Sequence, residues 1–245
     1  MKENRSAMPA REIPRAGAAL VFVSFTAYFY LLLFTLRPLL MAHFSLNPAL
    51  YWFITGYFLF IPLFLFAVAG AFVEGNRSLG SILAALHVRL LAKKDWRYAL
   101  GGLLLAFALS GLVFAAALLL NRRLGIPMLS TTPWFMEMRP FRGGEKLLLL
   151  AWLPMFFFNI AGEELLWRGY LQPRLRGPGA WTLCSVLWLI FHLPFGPGLM
   201  ILLVPVIVII PYCFQRTGNT LVGVFIHGMY NGPLFVAIAL GAVGT

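Results

Sequence analysis

Charged residues are scarce in this chain of 245 residues, where they make up 11% of the sequence and where only 8 residues are Asp or Glu. Soluble domains carry roughly 25% charged residues. A chain that is 61% hydrophobic would leave a water-soluble globule with far too much exposed apolar surface. The composition therefore excludes a soluble globular enzyme and predicts a polytopic membrane protein.

Cysteine is nearly absent as well, since the chain has 2 cysteines, Cys184 and Cys213. Both fall within apolar segments, so the sequence supports neither a disulfide framework nor a zinc ribbon. It also lacks an H-E-x-x-H motif, internal repeats, low-complexity tracts and any polar stretch long enough for a separate soluble domain.

Basic residues are the one abundant charged class, with 19 Lys and Arg against 8 acids and a net charge of +11. In a soluble chain this balance would suggest a nucleic-acid partner. Here the basic residues lie in the gaps between apolar runs, as topology signals and contacts to anionic headgroups do. We therefore expect the lipid bilayer, and no nucleic acid, as the partner of these charges.

Apolar runs of about 20 residues predict an all-α transmembrane helix bundle of about seven spans, within a range of six to eight. We divide the chain into a basic N-terminal tail (1–15), N-terminal transmembrane helices with a basic amphipathic connector (16–146), and a C-terminal transmembrane catalytic core (147–241). The segment 79–97 is interpreted as an interfacial helix, with a plain basic loop as the alternative. The predicted spans are 16–36, 49–73, 99–120, 147–172, 180–195, 198–214 and 219–241.

The distribution of Lys and Arg predicts that the N-terminus lies in the cytoplasm. With the N-terminus inside, the inner segments hold thirteen of these residues and the outer segments six, or twelve against six if Arg168 is buried. The loop 121–146 opposes this orientation with five basic residues. We expect a multi-pass protein of a prokaryotic plasma membrane.

A few polar residues stand inside the apolar spans, where ionisable groups are costly and usually functional. These residues are Glu163, Glu164 and Arg168 in the fourth span, His192 in the fifth, and His227 and Asn231 in the seventh. At about 1.5 Å per residue, Glu163, His192, His227 and Asn231 fall in one layer roughly 12–18 Å from the inner face. We therefore expect these four residues to line one cavity.

The spacing within each helix assigns tasks to these groups. Glu164 and Arg168 are four residues apart and can form an ion pair on one helix face. Glu163 points about 100° away and can face the cavity as a general base for water. An amide such as Asn231 next to His227 can stabilise the oxyanion formed when water attacks a carbonyl. The constellation favours hydrolysis of a peptide bond within the membrane.

At these residues the sequence resembles the CAAX protease and bacteriocin-processing family of intramembrane proteases, which is related to the Ras-converting CAAX endopeptidase. The family motif E-E-x-x-x-R is matched by Glu163, Glu164 and Arg168, and H-x-x-x-N by His227 and Asn231. The motif F-x-x-x-H is matched at His192, although Trp188 stands where the family usually has Phe. The resemblance covers about 163–231.

The resemblance implies that Glu163 activates a water molecule with the help of His192. It implies that Glu164 and Arg168 support this acid, while His227 and Asn231 hold the oxyanion. The implied substrate is a membrane-anchored peptide, either a prenylated CAAX-type C-terminus or a peptide leader. Zinc is not assured as a cofactor. If zinc is used, the ligands would be Glu163, His192 and His227, which would make the protein a metalloprotease.

Other interpretations of the same residues stay open. Glu164 and Arg168 could only brace the bundle, His192 could end a helix, and His227 with Asn231 could join helices by hydrogen bonds. A proton-coupled small transporter or channel would use the Glu and His layer as a relay, and a non-catalytic bacteriocin-immunity scaffold would keep the fold alone. His43 and His87 are expected to have no functional role.

Overall fold

The computed structural model describes residues 11–175 and 177–243, and its described part is built from eight helices. Residues 1–10, which form most of the predicted basic tail, lie outside the described residues. The described residues contain no β-strand, only an isolated bridge between Ile13 and Leu175, which confirms the all-α prediction. The helices are α1 (Arg15–His43), α2 (Pro48–Val73), α3 (Leu79–Ala85), α4 (Lys93–Leu124), α5 (Gly143–Arg174), α6 (Ala180–Phe191), α7 (Pro197–Thr217) and α8 (Thr220–Ala239).

Six of these helices, α1, α2, α4, α5, α7 and α8, are long and apolar enough to cross a membrane. They correspond to six of the seven predicted spans. The predicted span 180–195 is instead the 12-residue helix α6 followed by a tight turn at Leu193–Phe195. Twelve residues cover only about 18 Å, too little for a hydrocarbon core of about 30 Å. The turn ends α6 because Pro194 and Pro197 flank Gly196, whose φ is 85°.

The segment 79–97 differs from the predicted interfacial helix. Only Leu79–Ala85 is a separate helix, and residues from Lys93 onward belong to the long helix α4. Between them the chain turns at His87, whose φ is 55°, and whose carbonyl oxygen accepts a hydrogen bond from the amide of Thr220. Asp95 restarts the helix because its carboxylate accepts a hydrogen bond from the amide of Ala92.

Helix α5 is irregular where the sequence places its acids. Residues Leu148–Glu163 form an α-helix, and Glu164–Leu171 continue as a π-helix. A π-helical stretch commonly marks a functional position, because it turns the following side chains relative to those before it. Here the change of helix type falls between Glu163 and Glu164, so the two adjacent acids occupy different surroundings.

Next to these two acids, close contacts between helices depend on glycine. A Cβ atom on Gly162 would lie 2.7 Å from the carbonyl oxygen of Phe60, so α5 approaches the backbone of α2 there. A Cβ atom on Gly223 would overlap the carboxylate of Glu164, so α8 passes directly over this acid. Small residues at these contacts let transmembrane backbones pack closely, and here they bring α2 and α8 against the acids of α5.

The connector between α4 and α5, residues 125–142, folds back into the bundle. Phe135 is 1% exposed and packs against Phe29 and Trp52. The indole N–H of Trp134 donates a hydrogen bond to the carbonyl oxygen of Pro194. The connector therefore covers the end of the bundle at which α6 turns into α7.

Candidate active site

A cavity of about 480 Å³ lies inside the bundle, and four of the six predicted site residues line it. Apolar side chains from α2, α4, α7 and the connector form most of its wall, including Trp52, Phe107, Met136 and Leu202. The cavity extends from the middle of α5 toward the connector. The predicted residues that line it are Glu163, His192, His227 and Asn231.

Glu163 is held by hydrogen bonds to both carboxylate oxygens. It is 2% exposed, and its Oε2 accepts a bond of 2.6 Å from the indole Nε1 of Trp188. Its Oε1 accepts a bond of 3.2 Å from the side-chain amide of Asn159, one helical turn earlier on α5. These donors offset part of the cost of placing a carboxylate in an apolar bundle.

Glu164 lies behind the cavity wall and is fully buried. Its Oε1 accepts a hydrogen bond of 2.9 Å from Nδ1 of His227, because a carboxylate can only accept. Its Oε2 lies 3.4 Å from Nε of Arg168. The predicted pair with Arg168 thus exists, but the shorter contact of Glu164 is with His227, which the helix spacing alone did not indicate.

Arg168 has no exposed surface, and its guanidinium carbon lies 3.5 Å from the centre of the Trp188 ring. None of its side-chain nitrogens makes a hydrogen bond to the described residues. The guanidinium is therefore held by its charge, through the Glu164 carboxylate and a cation–π contact with the indole.

His192 ends α6 and is 6% exposed. Its Nδ1 donates a hydrogen bond of 2.8 Å to the carbonyl oxygen of Trp188, because a carbonyl oxygen can only accept. In the neutral ring this leaves Nε2 as an acceptor. The ring stacks on Phe195 with centroids 5.0 Å apart, so the tight turn after α6 fixes its plane.

Asn231 lies one helical turn after His227 on α8, is half-buried and lines the cavity. The neighbouring Tyr230 anchors this part of α8, because its hydroxyl donates a hydrogen bond of 2.7 Å to Ser110 on α4. This anchor sets the rotation of α8 about its axis and keeps the amide of Asn231 at the cavity.

The three conditional zinc ligands do not form a metal site in this structure. Among residues 11–175 and 177–243, no group of three or more His, Cys, Asp or Glu side chains is placed to hold a metal ion. Nδ1 of His192 is hydrogen-bonded to Trp188 and Nδ1 of His227 to Glu164, so Nε2 is the ring nitrogen that either histidine could offer to a metal. No reaction step is assigned to a metal.

Two contacts of the site are absent from the residues that the sequence predicts. Asn159 is a polar residue in an apolar span, four residues before Glu163, and its side-chain amide donates to that acid. Trp188 enters the sequence prediction only as a substitute for Phe, whereas its indole N–H donates the shorter of the two side-chain hydrogen bonds to Glu163. Polarity and spacing could have identified Asn159, but the partner of the Trp188 N–H depends on how α6 packs against α5.

Comparison with known proteins identifies one family and finds no individual relative. No curated protein and no solved structure matches the chain. One family model matches the part of the chain that begins in α5 and ends in α8, and similarity to this family implies protease activity in general. Residues 145–232 match the family described as Type II CAAX prenyl endopeptidase Rce1-like, so the stretch that carries all six motif residues is similar to the family that these motifs predicted.

Proposed function

We propose that this protein is an intramembrane endopeptidase that uses a glutamate-activated water molecule to cleave a membrane-tethered peptide. The observation that carries the proposal is the convergence of Glu163, His192, His227 and Asn231 on one cavity in an otherwise apolar bundle. Ionisable groups in a membrane interior are costly, and a shared cavity is the arrangement in which they act together.

In the proposed reaction, Glu163 removes a proton from a water molecule that His192 also holds through Nε2. The resulting hydroxide attacks the carbonyl carbon of the scissile peptide bond. When the C–N bond breaks, the proton on Glu163 passes to the departing amine nitrogen. Glu163 is then again a carboxylate, and the products are a new carboxyl terminus and a free amine.

His227 and Asn231 would stabilise the tetrahedral intermediate. The amide of Asn231 donates a hydrogen bond to the oxyanion, and a His227 ring that carries both protons donates a second one through Nε2. Glu164 supports this state because it keeps the Nδ1–H of His227 in a hydrogen bond of 2.9 Å. Glu164 and Arg168 therefore act behind the reacting groups.

A second concave surface supports a substrate with an apolar tether. A groove of about 630 Å³ runs between α5 and α8, and its lining includes Leu153, Val224, Met229 and Val236. Phe156 and Trp152 line both the groove and the cavity. These two aromatic side chains would separate a hydrocarbon chain in the groove from the cavity that contains Glu163. The groove could therefore bind the lipid of a prenylated C-terminus or of a lipid-anchored leader while its peptide enters the cavity.

The proposed orientation places the N-terminus in the cytoplasm of a prokaryotic cell, so that the connector 125–142 faces the opposite side. Single cysteines test it, because the native Cys184 and Cys213 are both buried. A membrane-impermeant thiol reagent added to whole cells should label Ser130→Cys in the connector and leave Ser78→Cys unlabelled. The reverse pattern would show that the N-terminus lies outside.

The catalytic proposal is tested by cleavage of membrane-anchored peptides with purified protein in lipid vesicles. The panel contains prenylated CAAX-type peptides, lipid-anchored leaders and the same peptides without lipid. We expect the parent protein to cleave tethered peptides, and Glu163→Gln and His192→Ala to lose this activity. His43→Ala is the matched control because His43 is exposed at the end of α1. Cleavage by Glu163→Gln at the parent rate would contradict the proposal.

A further inference from the structure

Trp188 lies at the centre of the site, although its residue type departs from the family pattern, which usually has Phe there. It is 1% exposed, lines the cavity and lies on α6 one helical turn before His192. A phenyl ring could fill the same space with carbon atoms. Unlike a phenyl ring, the indole also brings a hydrogen-bond donor to this position.

The indole donor is aimed at the proposed general base. The distance of 2.6 Å from Nε1 of Trp188 to Oε2 of Glu163 is short even for a hydrogen bond to a charged acceptor. Asn159 donates to the other oxygen at 3.2 Å. With one donor on each oxygen, the plane of the carboxylate is fixed relative to the cavity.

The ring itself cannot turn away from this contact. The Arg168 guanidinium lies 3.5 Å from the ring centre. The rings of His192 and His227 pack edgewise on the indole, with centroids 5.3 and 5.4 Å away. The backbone carbonyl of Trp188 also accepts the Nδ1–H bond of His192. One residue therefore contacts four of the six predicted site residues.

We infer that Trp188 is a positioning residue: its indole N–H orients the Glu163 carboxylate, and Arg168 acts on Glu163 through the indole ring. The inference rests on the proposed function, because it takes Glu163 as the base that activates water. It assigns Arg168 a second task besides its ion pair with Glu164. The cation over the ring face polarises the N–H toward the carboxylate and prevents the ring from rotating.

The kinetic test compares Trp188→Phe with the parent protein on the tethered peptide that the parent cleaves best. The variant keeps an aromatic ring next to Arg168 but has no donor for Glu163. We expect kcat to fall about 10- to 150-fold, which corresponds to about 1.5–3 kcal/mol for a hydrogen bond to a charged group. KM should stay within about twofold, and the melting temperature should change by only a few degrees.

Trp181→Phe is the matched control. Trp181 lies on the same helix, packs against Tyr212 and is not among the cavity-lining residues. It undergoes the same chemical change without loss of a contact to Glu163, so its kcat should equal that of the parent. An equal fall of kcat in both variants would show that tryptophan on α6 matters only for packing, and would overturn the inference.

A spectroscopic test reports on the contact without requiring turnover. In ¹⁵N-labelled protein, the indole N–H resonance of Trp188 is identified by its absence in Trp188→Phe. We expect it far downfield in the parent protein, and expect Glu163→Gln to move it upfield because the charged acceptor is lost. A resonance that Glu163→Gln leaves in place would overturn the inference.

The two tests separate failure of this inference from failure of the proposed function. If the parent cleaves and Glu163→Gln does not, but Trp188→Phe has the kcat of the parent, then only the positioning role of Trp188 is refuted. If the parent cleaves none of the tethered peptides, the proposed function fails, and the role of Trp188 fails with it.

Discussion

Helix α5 carries two buried arginines, Arg168 and Arg174, whose surroundings differ sharply. Arg174 is 2% exposed and forms hydrogen bonds with both carboxylate oxygens of Glu74, at 2.9 and 2.6 Å. It also donates to the carbonyl oxygen of Tyr170 at 2.9 Å. Arg168 is equally buried, but it has only a longer contact of 3.4 Å with Glu164 and the face of Trp188.

The difference indicates that Arg174 stabilises the fold, whereas Arg168 belongs to the candidate site. Buried charges that only stabilise structure are usually fully hydrogen-bonded, because each unmade bond is costly. Arg174 follows this rule and ties α5 to α2 at the end of the bundle opposite the connector. Arg168 departs from it next to a cavity, where incompletely paired groups are expected to have a function.

The largest expected effect in this comparison comes from Glu163→Gln. The amide keeps the size of the side chain but cannot take a proton from water, so we expect kcat on a tethered peptide to fall about 10²- to 10⁴-fold. Thermal unfolding in detergent should stay close to that of the parent. A variant that keeps more than a tenth of the parent kcat would contradict the assignment of Glu163 as the base.

The second largest expected effect is a loss of stability in Arg174→Met. Arg174→Met leaves Glu74 without its ion-pair partner and with only the Tyr170 hydroxyl as a donor among the described residues, and breaking a buried ion pair from one side costs about 3–5 kcal/mol. Since the Glu74 side chain is 13% exposed, we expect the lower end of this range in a detergent unfolding titration. The kcat of the protein that remains folded should be unchanged. A parent-like stability would show that the Glu74 pair is not a structural tie.

Arg168→Met is the matched counterpart of that variant. Because Arg168 makes no hydrogen bonds to the described residues, we expect a smaller loss of stability than for Arg174→Met. We expect kcat to fall about 10- to 100-fold, the range found when a residue that supports a reacting group is removed. If Arg168→Met unfolds the protein more than Arg174→Met does, the contrast between the two arginines is wrong.

A smaller effect is expected when a larger side chain fills the groove between α5 and α8, and it tests whether that groove binds the lipid tether. Gly228 lines the groove, and a Cβ atom added there would meet only Ile160, at 4.0 Å, so Gly228→Leu starts from open space and is expected to fill part of the groove. We expect KM for lipid-tethered peptides to rise about tenfold, equivalent to about two methylene groups left unburied. KM for peptides without lipid should not change.

The control for this variant is Gly101→Leu on α4, where an added Cβ atom would meet nothing within 4 Å. It lies away from both the groove and the cavity and should leave KM unchanged for both kinds of peptide. An equal rise of KM for tethered and untethered peptides in Gly228→Leu would show that the groove does not bind the tether.

The smallest expected effect is that of metal removal. Because the proposed reaction activates water through Glu163, and no group of three or more His, Cys, Asp or Glu side chains among the described residues is placed to hold a metal ion, we expect exhaustive chelation to change kcat by less than about twofold. Elemental analysis of the purified protein should find no stoichiometric zinc. Loss of activity on chelation and its return with zinc would instead support the ligand set Glu163, His192 and His227.

Much of the site could be predicted because helical rise is a local property. Counting 1.5 Å per residue placed Glu163, His192, His227 and Asn231 at one level, and the structure brings all four to one cavity. The division into an N-terminal region and a catalytic core beginning at residue 147 stays a prediction. The cavity takes its walls from both sides of that boundary, including Trp52 and Phe107 from the N-terminal part.

Other features depended on contacts that no local pattern encodes. The helical period gave the pair of Glu164 with Arg168, but not the closer partner His227, which lies 63 positions away. The interfacial helix predicted for 79–97 ends at Ala85, because Asp95 caps a new helix and joins Arg89 with Asn219. The amphipathic pattern could not reveal this capping network, since Asn219 comes from the other end of the chain.

By itself, the sequence determined the membrane class, the helical architecture and the level of each site residue. These follow from composition and from the rise of a helix, which need no knowledge of neighbouring segments. Only the tertiary structure decided which way each side chain faces and what it meets: the indole of Trp188 on Glu163, His227 on Glu164, and full pairing for Arg174 but not for Arg168. The physical reason is that the rotation of a helix about its axis, and its distance from its neighbours, are set by packing at positions such as Gly162 and Gly223.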